Sequence, residues 1–385
     1  MNRIKIDHLK ELVFVFVRFL NLFVKREKEV VLCSGWQGMR FADNSRYMYL
    51  YLNDYKDFLN IKKVVWITVN KQINGELKKA GYNTCMKYSL KSVYYHLKAG
   101  VFYYDQFFSD FLRPLSGNAV RINLWHGLPI KKFGCYFEGV QWQLRKGYLF
   151  TCSPFGKQLL GKAFRISDSQ AIYGMYPRNY YLLNDIPFLL KEEKIFLDIL
   201  NQQKNKKKKI LFYLPTFRKK TTPFLGEENQ NVLSSFFDYL RDNDYFLISK
   251  LHFKDVIDHN ADIKSKNECF INLPSTVDIY PFLKEADLLI TDYSSVLFDF
   301  LYLRKKIVCY AFDLSYYKTE DQGFIFDYNI LPVDIMYTLQ ELISYLEKEN
   351  QLSDDKKDAR DLWLQKCFAN YTMDDSIYNI LSIIK

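Results

Sequence analysis

ADLLITDYSSVLFDFLYLRKKIVCYAFD, residues 286–313, decides the fold. Residues 287–291 are a short apolar run closing on polar turn residues, the pattern of a strand covered on both faces. Asp292, Ser294 and Ser295 then precede apolar residues at helical spacing (Val296, Leu297, Phe300, Leu301). One of these short polar side chains is therefore expected to cap a helix entered directly from the strand. A second strand over 307–311 completes a βαβ unit. Its anion-binding corner lies beyond the carboxyl end of the first strand, where free N–H groups and the helix dipole favour negative charge. Hydrogen bonds to a charged group contribute about 1.5 to 3 kcal/mol each, against about 0.3 to 1 for the dipole, so the adjacent hydroxyls of Ser294 and Ser295 outweigh the dipole. Taken alone, the stretch fits a capped core helix equally well.

Outward from this unit, the same alternation fills the second half of the chain. Strands are expected over 210–214, 245–250, 268–272, 287–291 and 307–311, and helices over 233–241, 275–283, 295–303 and 333–347, with two final helices, 356–368 and 376–384, packing back on the first half. The first half alternates likewise, with strands over 30–33, 63–69, 82–86, 101–104, 120–125 and 149–152 and helices over 45–55, 75–79 and 91–98. Strands alternating with helices imply parallel sheets covered on both faces. The pattern lapses near Leu183, where 184–187 is turn-like, a helix follows over 192–200, and 201–209 is polar and basic. The expected organisation is a helix over 1–28, a doubly wound Rossmann-like domain over 29–190, and a second over 191–385, with a cleft between the two.

The chain of 385 residues is 49% hydrophobic, enough for two cores, which excludes disorder as its dominant state. Fifty-four Lys and Arg against 44 Asp and Glu leave a charge of +10, favouring an anionic partner: a phosphorylated substrate, an acidic membrane face or nucleic acid. The lysine run at 201–209 lacks interleaved stacking residues, so it reads as a solvated connector and not as a nucleic-acid patch. The seven cysteines are scattered without a CxxC pair, as buried thiols of a reducing compartment are. No metal-ligand spacing is present, so neither metal nor cofactor is expected.

At the start, residues 12–24 are apolar but broken by Arg18 and Asn21. Spanning a bilayer needs about 20 apolar residues, and a central Arg costs about 2.5 to 3.5 kcal/mol. His8, Glu11, Arg18, Asn21 and Lys25 form one stripe of a helix, opposite Val13, Phe16, Val17, Leu20 and Phe23. This is an amphipathic helix suited to a membrane surface or to docking on the protein. No small-residue cleavage site follows it, which argues against a secretory signal.

Several strand ends carry polar residues suited to chemistry. Trp125-His126-Gly127-Leu128-Pro129 follows the strand at 120–125, with Gly127 permitting close backbone approach and Pro129 suiting the first turn of a helix. His126 on that corner suits a general base near neutral pH, or a histidine bonded to a neighbouring carbonyl. Arg178, in the turn Tyr176-Pro177-Arg178-Asn179, is expected in the open, where it suits bidentate phosphate recognition or a surface ion pair. Pro215 and Thr216 end the first strand of the second half, and Lys250 and His252 end another. If those strands run parallel, Thr216, His252 and the Ser294-Ser295 turn emerge on the one sheet edge where ligands bind. Asp299, one turn further, suits a ligand hydroxyl or solvent.

In order, these motifs resemble the CDP-glycerol glycerophosphotransferase family of teichoic-acid and capsule polymer enzymes, whose usual wording is close to WHGTPLKKLG, GYPRND, APTWR, LRLHP and DVLITDYSSIMFD. The matching text is WHGLPIKKFG (125–134), GMYPRNY (174–180), LPTFR (214–218), SKLHF (249–253) and DLLITDYSSVLFD (287–299). The resemblance implies a GT-B arrangement, with the acceptor on the first domain and a CDP-alditol on the second. The reaction it implies moves an alditol phosphate, most readily glycerol phosphate, from CDP-glycerol or CDP-ribitol to an acceptor hydroxyl and releases CMP. It implies His126 and His252 as catalytic groups, with Trp125 and Gly127 beside the acceptor and Arg178 on donor phosphate. Pro215, Thr216, Lys250, Ser294 and Ser295 would hold the CDP, and Asp299 a donor hydroxyl. Leu128, Tyr180, Lys250 and Phe253 depart from the pattern; Lys250 keeps its charge but loses the guanidinium fork, which leaves donor identity open. The implied partner is a lipid-linked or polymeric acceptor; the amphipathic start and the positive charge suggest a peripheral position on the anionic inner face of the cell membrane. A GT-B glycosyltransferase using a nucleotide sugar shares the architecture, and a non-catalytic basic scaffold shares only the charge and the amphipathic start.

Overall fold

The computed structural model describes residues 19, 21, 23–216, 218, 230–251, 269–348 and 354–384. Most of the expected amphipathic helix over 1–28 lies outside these residues, and so does His252.

Two parallel sheets organise the chain. The first contains β1 (Glu27–Cys33), β2 (Lys63–Thr68), β3 (Thr84–Met86), β4 (Ala99–Tyr104), β5 (Val120–Asn123), β6 (Tyr148–Thr151) and β7 (Ala171–Tyr173), in the order β3-β2-β1-β4-β5-β6-β7. The second contains β8 (Lys209–Leu214), β9 (Tyr245–Ser249), β10 (Phe270–Asn272), β11 (Leu288–Thr291), β12 (Lys306–Tyr310) and β13 (Asp334–Met336), in the order β10-β9-β8-β11-β12-β13. The strand order reverses between β1 and β4 and again between β8 and β11, and at such switch points the loops at the carboxyl edge part to leave a crevice. Every residue of β4, β9 and β11 is buried, as helices on both faces require.

Local chemistry fixes the helix starts. The Asn70 side chain accepts from the N–H groups of Gln72 and Ile73 to open Lys71–Lys79, and Ser153 accepts from Gly156 to open Pro154–Phe164, whose first residue is the favoured proline. A continuous apolar cluster joins Val31 and Trp66 of the first sheet, through Tyr176 and Phe196, to Phe212 and Leu297 of the second. The chain leaves the first half by the helix Lys191–Asn205 and returns by the helices Lys357–Phe368 and Met373–Ile384. Ser376 Oγ donates to the Met175 carbonyl at 3.2 Å and Asn379 Nδ2 to that of Tyr173 at 2.9 Å. Gly174 lets the last helix approach, because a Cβ there would sit 2.5 Å from Ser376 Oγ.

Several elements differ from expectation. The stretch around Arg178 is a buried helix, Pro177–Leu183, where an open turn was expected, and Pro177 occupies its first position. The helix expected over 333–347 splits into β13 and the helix Leu339–Lys348. The helix expected over 275–283 shrinks to Tyr280–Leu283. That after Ser295 is Val296–Phe300, continued by a 3-10 turn, Leu301–Leu303, and neither Ser294 nor Ser295 caps it. No helix follows Pro129 either: residues 124–133 are irregular.

Candidate active site

The first half presents His126 where β5 ends. Asn123 Oδ1 accepts from the Trp125 N–H at 2.9 Å, and Trp125 takes a positive φ of 53° that turns the chain out of the sheet. The Trp125 ring is buried, stacked on Phe133 at 5.2 Å and lying 3.9 Å from the imidazole, so it forms a floor under His126 and is closed to a ligand. His126 Nδ1 lies 3.3 Å from the Asp105 carbonyl. A carbonyl only accepts, so Nδ1 carries the proton and Nε2 keeps its lone pair. Burial lowers the His126 pKa, with Asp43 opposing, so the ring is neutral near pH 7.

Asp105 itself is fully buried, and one carboxylate oxygen accepts from the Ser45 N–H at 2.7 Å and its hydroxyl at 2.6 Å. Burial, reinforced by Asp43, raises its pKa. The loop after β1 also approaches the imidazole, with the Trp36 ring at 6.4 Å. Trp36, Gln37 and Asp43 join Trp125 in having positive φ, at 50°, 59° and 62°. Four non-glycine residues in this region beside one crevice are a concentration of backbone strain of the kind found at sites.

On the second half, Asp292 organises the ends of β8 and β11. Its Oδ1 accepts from the Thr216 N–H at 2.8 Å, and its Oδ2 pairs with Arg218 at 2.7 Å. Arg218 is further held by Asp313, so the turn is rigid. Among the described residues the buried Thr216 hydroxyl has no hydrogen-bond partner. Ser294 and Ser295 are half-buried. Pro215 precedes Thr216 at the mouth of β8, half-buried. Lys250 Nζ donates to the Val277 carbonyl, and burial lowers its pKa against the pull of Asp278.

The two halves meet at Gly127. Its φ is 107°, and a Cβ there would lie 2.1 Å from the Arg178 guanidinium and 3.5 Å from Ser295 Oγ. The His126 corner therefore faces the serine turn across the crevice. Residues 130–132 add backbone bonds to the second half, Ile325 N–H to the Ile130 carbonyl at 2.9 Å and Lys132 N–H to that of Gly323 at 3.1 Å.

Arg178 and Asp299 are not open to a donor. Arg178 is 2% exposed and donates to Asp43 at 2.7 Å and to Asp299 at 2.6 Å; Tyr280 donates to the same Asp299 oxygen at 2.7 Å. Burial opposes the charge on Arg178, yet Asp299, Tyr280 and Asp43 together raise its pKa. Two groups read as separate ligand contacts thus form one ion pair between the halves. A second such link joins Arg46 to Glu193 at 2.5 and 2.8 Å, with Tyr47 and the Asp43 N–H on Asp278.

Sequence reasoning passed over two groups. Asp43, Asn44, Ser45 and Arg46 head a helix, Asp43–Asp54, and all four are buried: they hold Arg178, the Trp125 carbonyl, Asp105 and Glu193 respectively. Their signal was four consecutive polar residues opening a tyrosine-rich helix. Lys131 is the other; burial lowers its pKa while Asp292, across the crevice, raises it.

The profile of the family described as CDP-Glycerol:Poly(glycerophosphate) glycerophosphotransferase matches residues 14–384. The teichoic acid poly(glycerol phosphate) polymerase of Bacillus spizizenii is 26% identical over 365 residues, 89% of each chain. The teichoic acid glycerol-phosphate transferase of Staphylococcus aureus is 25% identical over 375 residues, 91% of this chain and 92% of its own. Among solved structures, the wall teichoic acid polymerase TagF superposes with a TM-score of 0.72 at 19% identity, covering 99% of this chain and 96% of the other, which shows the shared two-domain fold.

Proposed function

Because the chain belongs to the CDP-glycerol:poly(glycerophosphate) glycerophosphotransferase family, we propose that His126 is the base by which it transfers glycerol phosphate from CDP-glycerol to the terminal hydroxyl of a teichoic-acid-type acceptor. The observation that carries this reading is the approach of Gly127 to Ser295, which brings the His126 corner to the half-buried serine turn. The acceptor oxygen attacks the phosphorus bearing glycerol, and its proton passes to Nε2. A new P–O bond forms, the P–O bond to CMP breaks, and CMP leaves with the electron pair. Ser294, Ser295, the Thr216 hydroxyl, Lys131 and Lys250 supply donors and positive charge for the diphosphate. Such a transfer needs mainly positioning and charge stabilisation, which a rigid crevice provides. Arg178 and Asp299 act by holding the halves in register.

Removing a general base typically lowers rate by about 10² to 10⁴. His126→Ala is therefore expected to bind CDP-glycerol normally by calorimetry and to release CMP slower by that order. Turnover near wild type would end the assignment. The proposed setting is the inner membrane face, reached through the apolar stripe of residues 1–25, with a lipid-linked primer or growing polymer as acceptor. No helix among the described residues is long and apolar enough to cross a membrane. Deleting residues 1–25 should lower recovery with membranes while preserving turnover on a soluble acceptor; unchanged recovery would reject this role.

A further inference from the structure

Behind the His126 corner lies a cavity of about 510 Å³ that the donor reaction does not use. Arg113, Arg121, Arg145 and Lys146 line it, and none of the described lining residues is acidic. Arg121 donates to two uncharged oxygens, Ser116 Oγ at 2.6 Å and the Gly117 carbonyl at 3.3 Å. Burial lowers its pKa, Tyr104 opposes this and the neighbouring Arg113 adds to it, so an anion in the cavity would offset both the burial and the Arg113 repulsion. Phe107 and Trp142 meet edge to face at 5.3 Å yet stay 45% and 36% exposed, leaving aromatic surface beside the cations.

One wall is shared with the catalytic corner. Asn123 Nδ2 donates to the Gln106 carbonyl at 2.9 Å, both side chains line the cavity, and Gln106 directly follows Asp105, whose carbonyl orients His126. Four cations without a carboxylate, next to exposed aromatic faces, suit a ligand that alternates phosphate with polyol carbon. An uncharged sugar acceptor would not need them.

We propose that this cavity holds the phosphodiester units of the acceptor chain next to its attacking hydroxyl, with the cations on phosphate oxygens and Phe107 and Trp142 against the polyol carbons. The inference rests on the glycerophosphotransfer reading above. Its test is the triple variant Arg113→Ala, Arg145→Ala, Lys146→Ala, assayed for CMP release with a soluble oligo(glycerol phosphate) and with the same oligomer carried on lipid in neutral vesicles. All three side chains are exposed, and an unchanged urea denaturation midpoint serves as the check on folding. Losing these contacts should raise the KM for both acceptors about tenfold or more and flatten its dependence on salt, with CDP-glycerol affinity kept. An unchanged acceptor KM overturns the proposal. So does an equal loss of CDP-glycerol affinity, which would make the cavity a donor site. A rise confined to the lipid-borne acceptor also overturns it, by reassigning the cations to a headgroup. Failure of the wild-type protein to release CMP with either acceptor would instead remove the parent reading.

Discussion

At the scale of single residues, His126 owes its character to what surrounds it. A backbone carbonyl fixes its tautomer, an indole supports its ring, and burial disfavours its charged form. The consequence for pH follows from the sign of that shift. A base must be neutral, and a pKa below the ordinary histidine value of about 6.5 keeps it neutral into mildly acidic solution. The acid limb of kcat/KM for the acceptor is therefore expected below pH ~6.5, and a limb centred above that value would contradict the assignment. The placement of His126 just past a strand end was legible in the sequence, because a histidine beside glycine after an apolar run is a local pattern. The pairing of Arg178 with Asp299 was not, since it joins residues 121 positions apart whose separate motifs each looked like a ligand contact.

At the scale of elements, hydrophobic patterning located the strands well wherever they are apolar on both faces. It failed where a short strand hides in polar sequence. β13 reads Asp-Ile-Met, too brief to show a period, and it merged with the amphipathic helix after it. β7, Ala-Ile-Tyr, was missed as well, although β3 and β10 of equal length were expected. The reading of the serine turn was right about its place at the end of β11 and wrong about its capping role: Asp292 is engaged by the N–H groups of Thr216 and Tyr293, and Ser295, at the N-cap position with helical backbone, makes no side-chain bond to the helix. The corner at Gly127 carries its own prediction. Gly127→Ala places a methyl group against Arg178 in a backbone region that costs about 1 to 3 kcal/mol for other residues. Urea denaturation should show a loss of at least that size, together with slower CMP release. Wild-type values for both would mean that the corner does not need its close approach.

At the scale of the whole molecule, the sequence pattern supplied two alternating halves and a crevice, but not the contacts that set their distance. Those contacts are buried charges. Removing one partner of a buried ion pair typically costs about 3 to 5 kcal/mol, because the other is left uncompensated. Arg178→Met leaves Asp43 and Asp299 facing one another and should destabilise the protein by about that amount in chemical denaturation. Arg178→Lys should recover only part of it, since one ammonium cannot reproduce two separate guanidinium contacts. Full stability in both variants would show that the link contributes little.

The double crossing of the chain, out along Lys191–Asn205 and back along the last two helices, has a mechanical consequence. Together with the buried ion pairs and the apolar cluster shared by both sheets, the two crossings tie each lobe to the other at several points, so neither can turn on its own and the same atoms stay face to face across the crevice.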